Sequence, residues 1–172
     1  MQNPEKPKKN RTIAERTATL AMLIALAMIL SWVEVLIPFN FGIPGIKLGL
    51  ANLVTLIGFY LLPPSDVLIV AFSRIMLTGL LFSSPAALIY SLSGGMLSYF
   101  VMLFMKKRGN FSLLFISIFG GIFHNIGQLA AAAFQNTAIL YYLPVLVLAG
   151  LLTGAINGII AGRVLKYLSV GN

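Results

Sequence analysis

Residues 31–52 read SWVEVLIPFNFGIPGIKLGLAN and join two long apolar runs. Glu34 lies inside the first run, Lys47 begins the second, and the loop between them contains proline, glycine and asparagine but no charge. Asn52 follows soon after Lys47. Charged groups are costly inside a membrane, so an acid, a base and an amide around one turn indicate a site.

The composition excludes a water-soluble domain. The 172 residues are 59% hydrophobic and only 9% charged, with a mean hydropathy of +0.95. A soluble domain would carry about 25% charged residues. There are no cysteines, which excludes disulfides and thiolate metal sites. The net charge is +8, and the basic residues that give it lie beside apolar runs. This placement is typical of orientation signals in membrane proteins and not of nucleic-acid binding.

Turn signals divide the chain into six apolar segments, each about long enough to cross a ~30 Å hydrocarbon core. Residues 1–16 are predicted to form a basic cytoplasmic tail, and residues 17–168 one transmembrane domain. The fold class is therefore all-α, a six-transmembrane-helix bundle. The predicted helices are 17–37, 46–62, 66–82, 85–105, 112–134 and 142–165.

Basic residues predict the orientation of this bundle. An N-terminus inside the cell places the tail, the 106–108 cluster and the pair Arg163 and Lys166 on the cytoplasmic side. The three outer loops then contain no Lys or Arg. Both termini are therefore expected to be cytoplasmic, in a multi-pass protein of the bacterial cell membrane. The first apolar run resembles a signal peptide but has no cleavage site, so we interpret it as an uncleaved helix.

No common catalytic pattern is present. The chain has four acids, one histidine, no aspartate-rich repeat for magnesium diphosphate and no phosphate-cradling loop. We therefore expect neither an enzyme nor a bound cofactor or metal.

Polar residues inside the apolar segments form the candidate substrate-binding set, mostly at one depth near the outer side. Each also has a structural alternative. Arg74 could pair with Glu34, Lys47 could extend to the membrane interface, His124 could be a hydrogen-bonded core residue, and the amides could join helices. The set comprises Glu34, Asn40, Lys47, Asn52, Arg74, Ser91, His124, Asn125 and Gln128.

Two stripes of small residues lie at a spacing of four. Ala21 and Ala25 lie in the first helix, and four glycines between residues 150 and 162 lie in the last. Such stripes allow close approach of helix backbones. We expect the glycines to pack inside the bundle, whereas the alanines could face another protein.

The chain resembles a known group of membrane proteins in the runs ERTATLAMLIALAMILSWVE, PGIKLGLANLVTL, SRIMLTGLLF, SLSGGMLS and GGIFHNIGQLAAA. These resemble the substrate-binding S components of energy-coupling factor (ECF) vitamin transporters. Within that group the chain is similar to the family called heptaprenyl diphosphate synthase component I, or Gx transporters. The resemblance implies an outward-facing pocket roofed by residues 38–45. It also implies docking of a transmembrane T protein, which works with two ATPases, on Ala21 and Ala25. The synthase name implies a soluble prenyl diphosphate synthase partner instead.

Three functions follow as expectations. The preferred one is a substrate-binding subunit that captures a small anionic or amphipathic micronutrient, with Lys47 and Arg74 holding a carboxylate or phosphate. The second is a membrane subunit that presents lipid substrate to a soluble synthase of heptaprenyl diphosphate and menaquinone biosynthesis. The third is a solitary proton-coupled carrier that uses Glu34 and His124.

Overall fold

The computed structural model describes residues 12–36, 47 and 49–170. Within these ranges it is helical and has no strands, which confirms the predicted class and the number of helices. Five helices are long and apolar enough to cross a membrane, so the chain is a multi-pass membrane protein. The helices are α1 (Ile13–Leu36), α2 (Asn52–Leu61), α3 (Pro64–Phe82), α4 (Pro85–Arg108), α5 (Leu113–Ala133) and α6 (Leu143–Val170), with a 3-10 helix at Thr137–Tyr142.

Helix α2 is much shorter than predicted. The expected start at residue 46 is wrong, because Gly49 has a φ of +92° and breaks the helical path. The helix begins at Asn52, after a turn in which the Asn52 N–H donates to the Gly49 carbonyl oxygen. Its 10 residues rise about 15 Å, half of a hydrocarbon core. The residues before α2 therefore leave backbone groups that need partners inside the bundle.

Local sequence explains the other helix ends. Pro85 starts α4, and the Ser84 hydroxyl caps that helix by accepting from the Ala87 N–H. Gly109, with a φ of +72°, ends α4, so the cluster 106–108 forms its last turn instead of a loop. Ser112 caps α5 in the same way as Ser84 caps α4. The α3–α4 connection is thus the very tight turn that the sequence predicts.

Helix α5 packs closely between α4 and α6 through glycines. The α-carbon of Gly94 would lie 2.8 Å from a methyl group placed on Gly127, so α4 and α5 meet backbone to backbone. Gly121 meets Gly150 and Gly154 in the same way, which brings α6 against the other side of α5. The predicted packing role of the glycine stripe in α6 is confirmed for its first three members, whereas the fourth is exposed at residue 162.

The basic side chains of α1 and α4 lie at one end of the bundle, which we call the basic end. Arg16 in α1 forms an ion pair with the buried Asp66 of α3, at 2.5 Å and 3.0 Å. Lys106 donates to the carbonyl oxygen of Phe59, which places the end of α2 there as well. The opposite end, which we call the Ser83 end, contains the α3–α4 turn and the residues that precede α2. The shared position of the bases agrees with the predicted topology, while the orientation in a membrane stays a prediction.

Candidate functional site

Arg74 is the central residue of the polar interior. It lies in the middle of α3 and is 6% exposed. Its two Nη atoms donate to the Ser31 hydroxyl at 3.4 Å and to the Asn52 side-chain oxygen at 3.5 Å, both at the long limit for hydrogen bonds. No carboxylate lies within 4 Å of it among the described residues. A buried cation held by two weak contacts is costly, at roughly 3 kcal/mol near mid-membrane.

Glu34 does not form the ion pair with Arg74 that the sequence left open. One of its carboxylate oxygens accepts from the backbone N–H groups of Gly49 and Leu50, the latter at 3.0 Å. Glu34 is 9% exposed, so both bonds lie inside the bundle. Its direct partner is thus the backbone that precedes α2, although its charge still acts on Arg74 over a longer distance.

Gln128 holds the same segment from α5. Its side-chain oxygen accepts from the Lys47 N–H at 2.9 Å, and its amide nitrogen donates to the Lys47 carbonyl at 2.8 Å. Asn157 of α6 donates to the carbonyl of Gly49 at 3.1 Å. Side chains of α1, α5 and α6 therefore supply hydrogen bonds that the backbone of Lys47, Gly49 and Leu50 does not make within a helix. We call this arrangement the backbone clamp.

The side chain of Lys47 turns back toward the protein. Its Nζ atom donates to the Ser83 hydroxyl at 3.1 Å, and the residue is half-buried. Burial lowers the pKa of this ammonium group, while the Glu34 charge acts in the opposite direction. Lys47 therefore contacts the α3–α4 turn, instead of simply extending to the membrane interface.

Four buried polar atoms in this region have no hydrogen-bond partner among the described residues. They are Arg74 Nε, Thr78 Oγ1, Ser91 Oγ and His124 Nδ1. Leaving a buried polar group unpaired costs about 1–3 kcal/mol, so a fold rarely collects four without a reason. They come from three adjacent helices, α3, α4 and α5.

The helix register places these atoms in two neighbouring layers. Ile75 of α3 contacts the position of Gly95 in α4, and Arg74 Nη2 lies 3.8 Å from a methyl group built there. Thr78 lies one turn from Arg74, and Ser91 one turn from Gly95, both toward the Ser83 end. Thr78 and Ser91 thus lie at the same level on packed helices. We call Arg74, Thr78, Ser91 and His124 the unpaired cluster.

His124 connects the unpaired cluster to the backbone clamp. Its Cδ2 atom lies 3.0 Å from a methyl group built on Gly49, and its Nδ1 atom lies 3.2 Å from one built on Gly94. The ring is therefore held between the segment that precedes α2 and the face of α4. It is 3% exposed, and the charges of Arg74 and Lys47 both act on it.

Two predicted residues join helices, as their structural alternative proposed. Asn125 donates to the carbonyl of Leu146 at 2.7 Å, which links α5 to α6. Asn52 donates to the Ser98 hydroxyl at 3.3 Å, and Ser98 donates in turn to the carbonyl of Gly120. Asn52 also accepts from Arg74, so it contacts the unpaired cluster as well.

Most predicted site residues come together in space, whereas the two predicted docking residues lie apart from them. Asn40, like the proposed lid at 38–45, lies outside the described residues. Ala21 and Ala25 lie on the exposed face of α1. The residues that the structure brings together are Glu34, Lys47, Asn52, Arg74, Ser91, His124, Asn125 and Gln128.

Sequence reasoning missed three residues of this region. Ser31 and Ser98 contact Arg74 and Asn52 directly, and Thr78 belongs to the unpaired cluster. Only Thr78 had a usable signal, because it lies four residues after Arg74 and thus on the same helix face.

Comparisons with known proteins identify a family for the chain. Within the described residues, no group of three or more His, Cys, Asp or Glu side chains could hold a metal ion. Neither a curated protein nor a solved structure matches the chain. The family model described as heptaprenyl diphosphate synthase component I matches residues 23–164, which includes all of the contacts above except the ion pair at the basic end. The chain therefore belongs to the heptaprenyl diphosphate synthase component I family.

Proposed function

We propose that the protein is the substrate-binding subunit of an ECF-type uptake transporter and captures a small anionic or amphipathic solute. The observation that carries the proposal is the unpaired cluster, in which a buried guanidinium and three neutral side chains each have one polar atom without a partner. Such atoms are costly inside an apolar bundle, and a bound polar solute would satisfy them.

The backbone clamp supports the same function. A binding subunit needs a preorganised site, because rigid contacts lower the entropy that is lost on binding. Glu34, Gln128 and Asn157 hold the described backbone before α2 against the Ser83 end of the unpaired cluster. These side chains orient the site in our proposal, and the unpaired cluster contacts the solute.

The exposed face of α1 supports a partner. Ala21 and Ala25 lie there beside the large apolar side chains of Met22 and Ile29, which are 65% and 57% exposed. A T protein that packs on this face would connect the subunit to its two ATPases. Small residues favour such close helix packing in a membrane.

The second candidate is a membrane subunit of heptaprenyl diphosphate and menaquinone biosynthesis that presents lipid substrate to a soluble synthase. The family description favours it, since that name refers to one component of a synthase. The described residues of this chain contribute no metal-binding group to such a reaction. In this case the subunit would hold the substrate, and the partner would perform the chemistry.

Affinity purification of the tagged protein in a mild detergent tests the two candidates. The first predicts that one integral membrane protein and two ATPases purify with it, and the second predicts a prenyl diphosphate synthase. Recovery of the synthase without ATPases would refute the transporter proposal. A solitary proton-coupled carrier would instead transport solute in proteoliposomes without ATP.

A further inference from the structure

We infer that the unpaired cluster binds a solute with a single carboxylate, with Arg74 as the anchor of the carboxylate and Thr78, Ser91 and His124 as hydrogen-bond partners of a second polar group on the same solute. This inference rests on the proposed function, since it names the class of solute that the subunit would capture. It replaces the expectation that Lys47 and Arg74 hold the anion together.

The donors that remain on Arg74 suit a carboxylate. A guanidinium has five N–H donors, and only two of them have partners here, both at long distance. Nε has none. The Nε–H and one N–H of Nη2 lie side by side on one edge of the guanidinium, which is the edge that binds a carboxylate through two parallel hydrogen bonds.

The charges around Arg74 specify how much negative charge the site accepts. Glu34 accepts hydrogen bonds from the backbone, and Lys47 donates to Ser83, so neither contacts the Nε or Nη2 atom of Arg74. These three residues together carry one net positive charge. A single carboxylate neutralises that charge, whereas a diphosphate would leave excess negative charge in a buried region whose described residues form no metal site.

The three neutral groups select for a second polar feature of the solute. Thr78 and Ser91 lie one helical turn from the Arg74 level, toward the Ser83 end, and their hydroxyl groups can donate or accept. His124 Nδ1 adds a third unpaired atom from α5. A solute with a carboxylate toward the bundle centre and a hydroxyl, amide or carbonyl group toward the Ser83 end would satisfy both layers.

Thermal unfolding of the full-length protein in detergent tests the inference, with hexanoate as a monocarboxylate probe. Hexanamide is its uncharged counterpart, pyrophosphate is the multiply charged competitor, and ionic strength is held constant with chloride. We expect hexanoate to raise Tm in a saturable manner and hexanamide to have no such effect. The Arg74→Gln variant should lose the response, and Arg163→Gln, which changes an exposed arginine of α6, should keep it.

Two further variants separate binding from structure. Arg74→Lys keeps the charge but removes the two-pronged edge, so the half-saturating hexanoate concentration should rise by at least about tenfold. Thr78→Val removes an unpaired hydroxyl, so it should raise Tm without solute and weaken the response to 6-hydroxyhexanoate, whose hydroxyl supplies the second polar group that hexanoate lacks. If these residues only support the fold, the half-saturating concentration of the solute should not change.

Three results would overturn the inference. They are the absence of any saturable hexanoate response, an equal response in the Arg74 variants, and a response to pyrophosphate at lower concentration than to hexanoate. If Arg74→Gln does not fold, Arg74→Lys and Thr78→Val decide the question. A normal hexanoate response without copurified ATPases would refute the proposed transporter and leave the carboxylate site intact.

Discussion

Replacing Gln128 by Met should open the segment that precedes α2. Methionine has nearly the same length but makes neither of the two hydrogen bonds to Lys47, at 2.9 Å and 2.8 Å. The Lys47 N–H and carbonyl then lack partners in a partly buried place, where water lowers the cost to about 1–2 kcal/mol for each group and about 2–4 kcal/mol in sum. The loss is local, because Glu34 and Asn157 still hold Gly49 and Leu50.

Hydrogen exchange of the amides at residues 47–50 measures this effect. An opening free energy that falls by about 2–4 kcal/mol corresponds to exchange about 30- to 1,000-fold faster. Gln135→Met is the matched control, because Gln135 is exposed and its side-chain oxygen accepts only from Tyr90, so amide exchange at 47–50 should not change. Unchanged exchange in Gln128→Met would refute the backbone clamp as the element that holds this segment.

Two more variants follow from the packing of the helices. Gly121→Ala should destabilise the protein by about 1–3 kcal/mol, since the new methyl group would collide with the Gly150 carbonyl, whereas Gly162→Ala has only ordinary contacts and should be neutral or slightly stabilising in chemical unfolding. The double variant Ala21→Leu, Ala25→Leu should leave Tm unchanged and reduce the amount of copurified T protein and ATPases by at least about tenfold. The control variant Ala130→Leu, at an exposed position of α5, should not reduce it. Copurification that resists the bulky leucines would contradict docking on α1.

The helices could be predicted from sequence because their causes are local. Five of them are apolar runs long enough to cross a membrane. Ser84 and Pro85 determine where α4 begins. The early start of α2 failed for a physical reason. Residues 46–50 read IKLGL and are apolar apart from Lys47, but the positive φ of Gly49 ends the helical path, and hydropathy does not report φ.

The candidate site could be predicted as a set of residues but not as a set of contacts. Arg74 and Gln128 were found because polar groups are rare in apolar helices. Their partners depend on helix rotation, which a single sequence does not specify. Gln128 thus bonds to the backbone of Lys47, 81 positions away, and Glu34 bonds to backbone N–H groups and not to Arg74.

Mass spectrometry of the small molecules that copurify with the protein shows whether Arg74 holds a carboxylate. The full-length protein and its Arg74→Gln variant would be purified in parallel from their own membranes, and their bound compounds extracted and identified by mass spectrometry. We expect one carboxylate compound that is present near stoichiometry in the unmodified protein and is lost from the variant. Equal retention by both proteins, or a diphosphate in place of the carboxylate, would contradict this expectation.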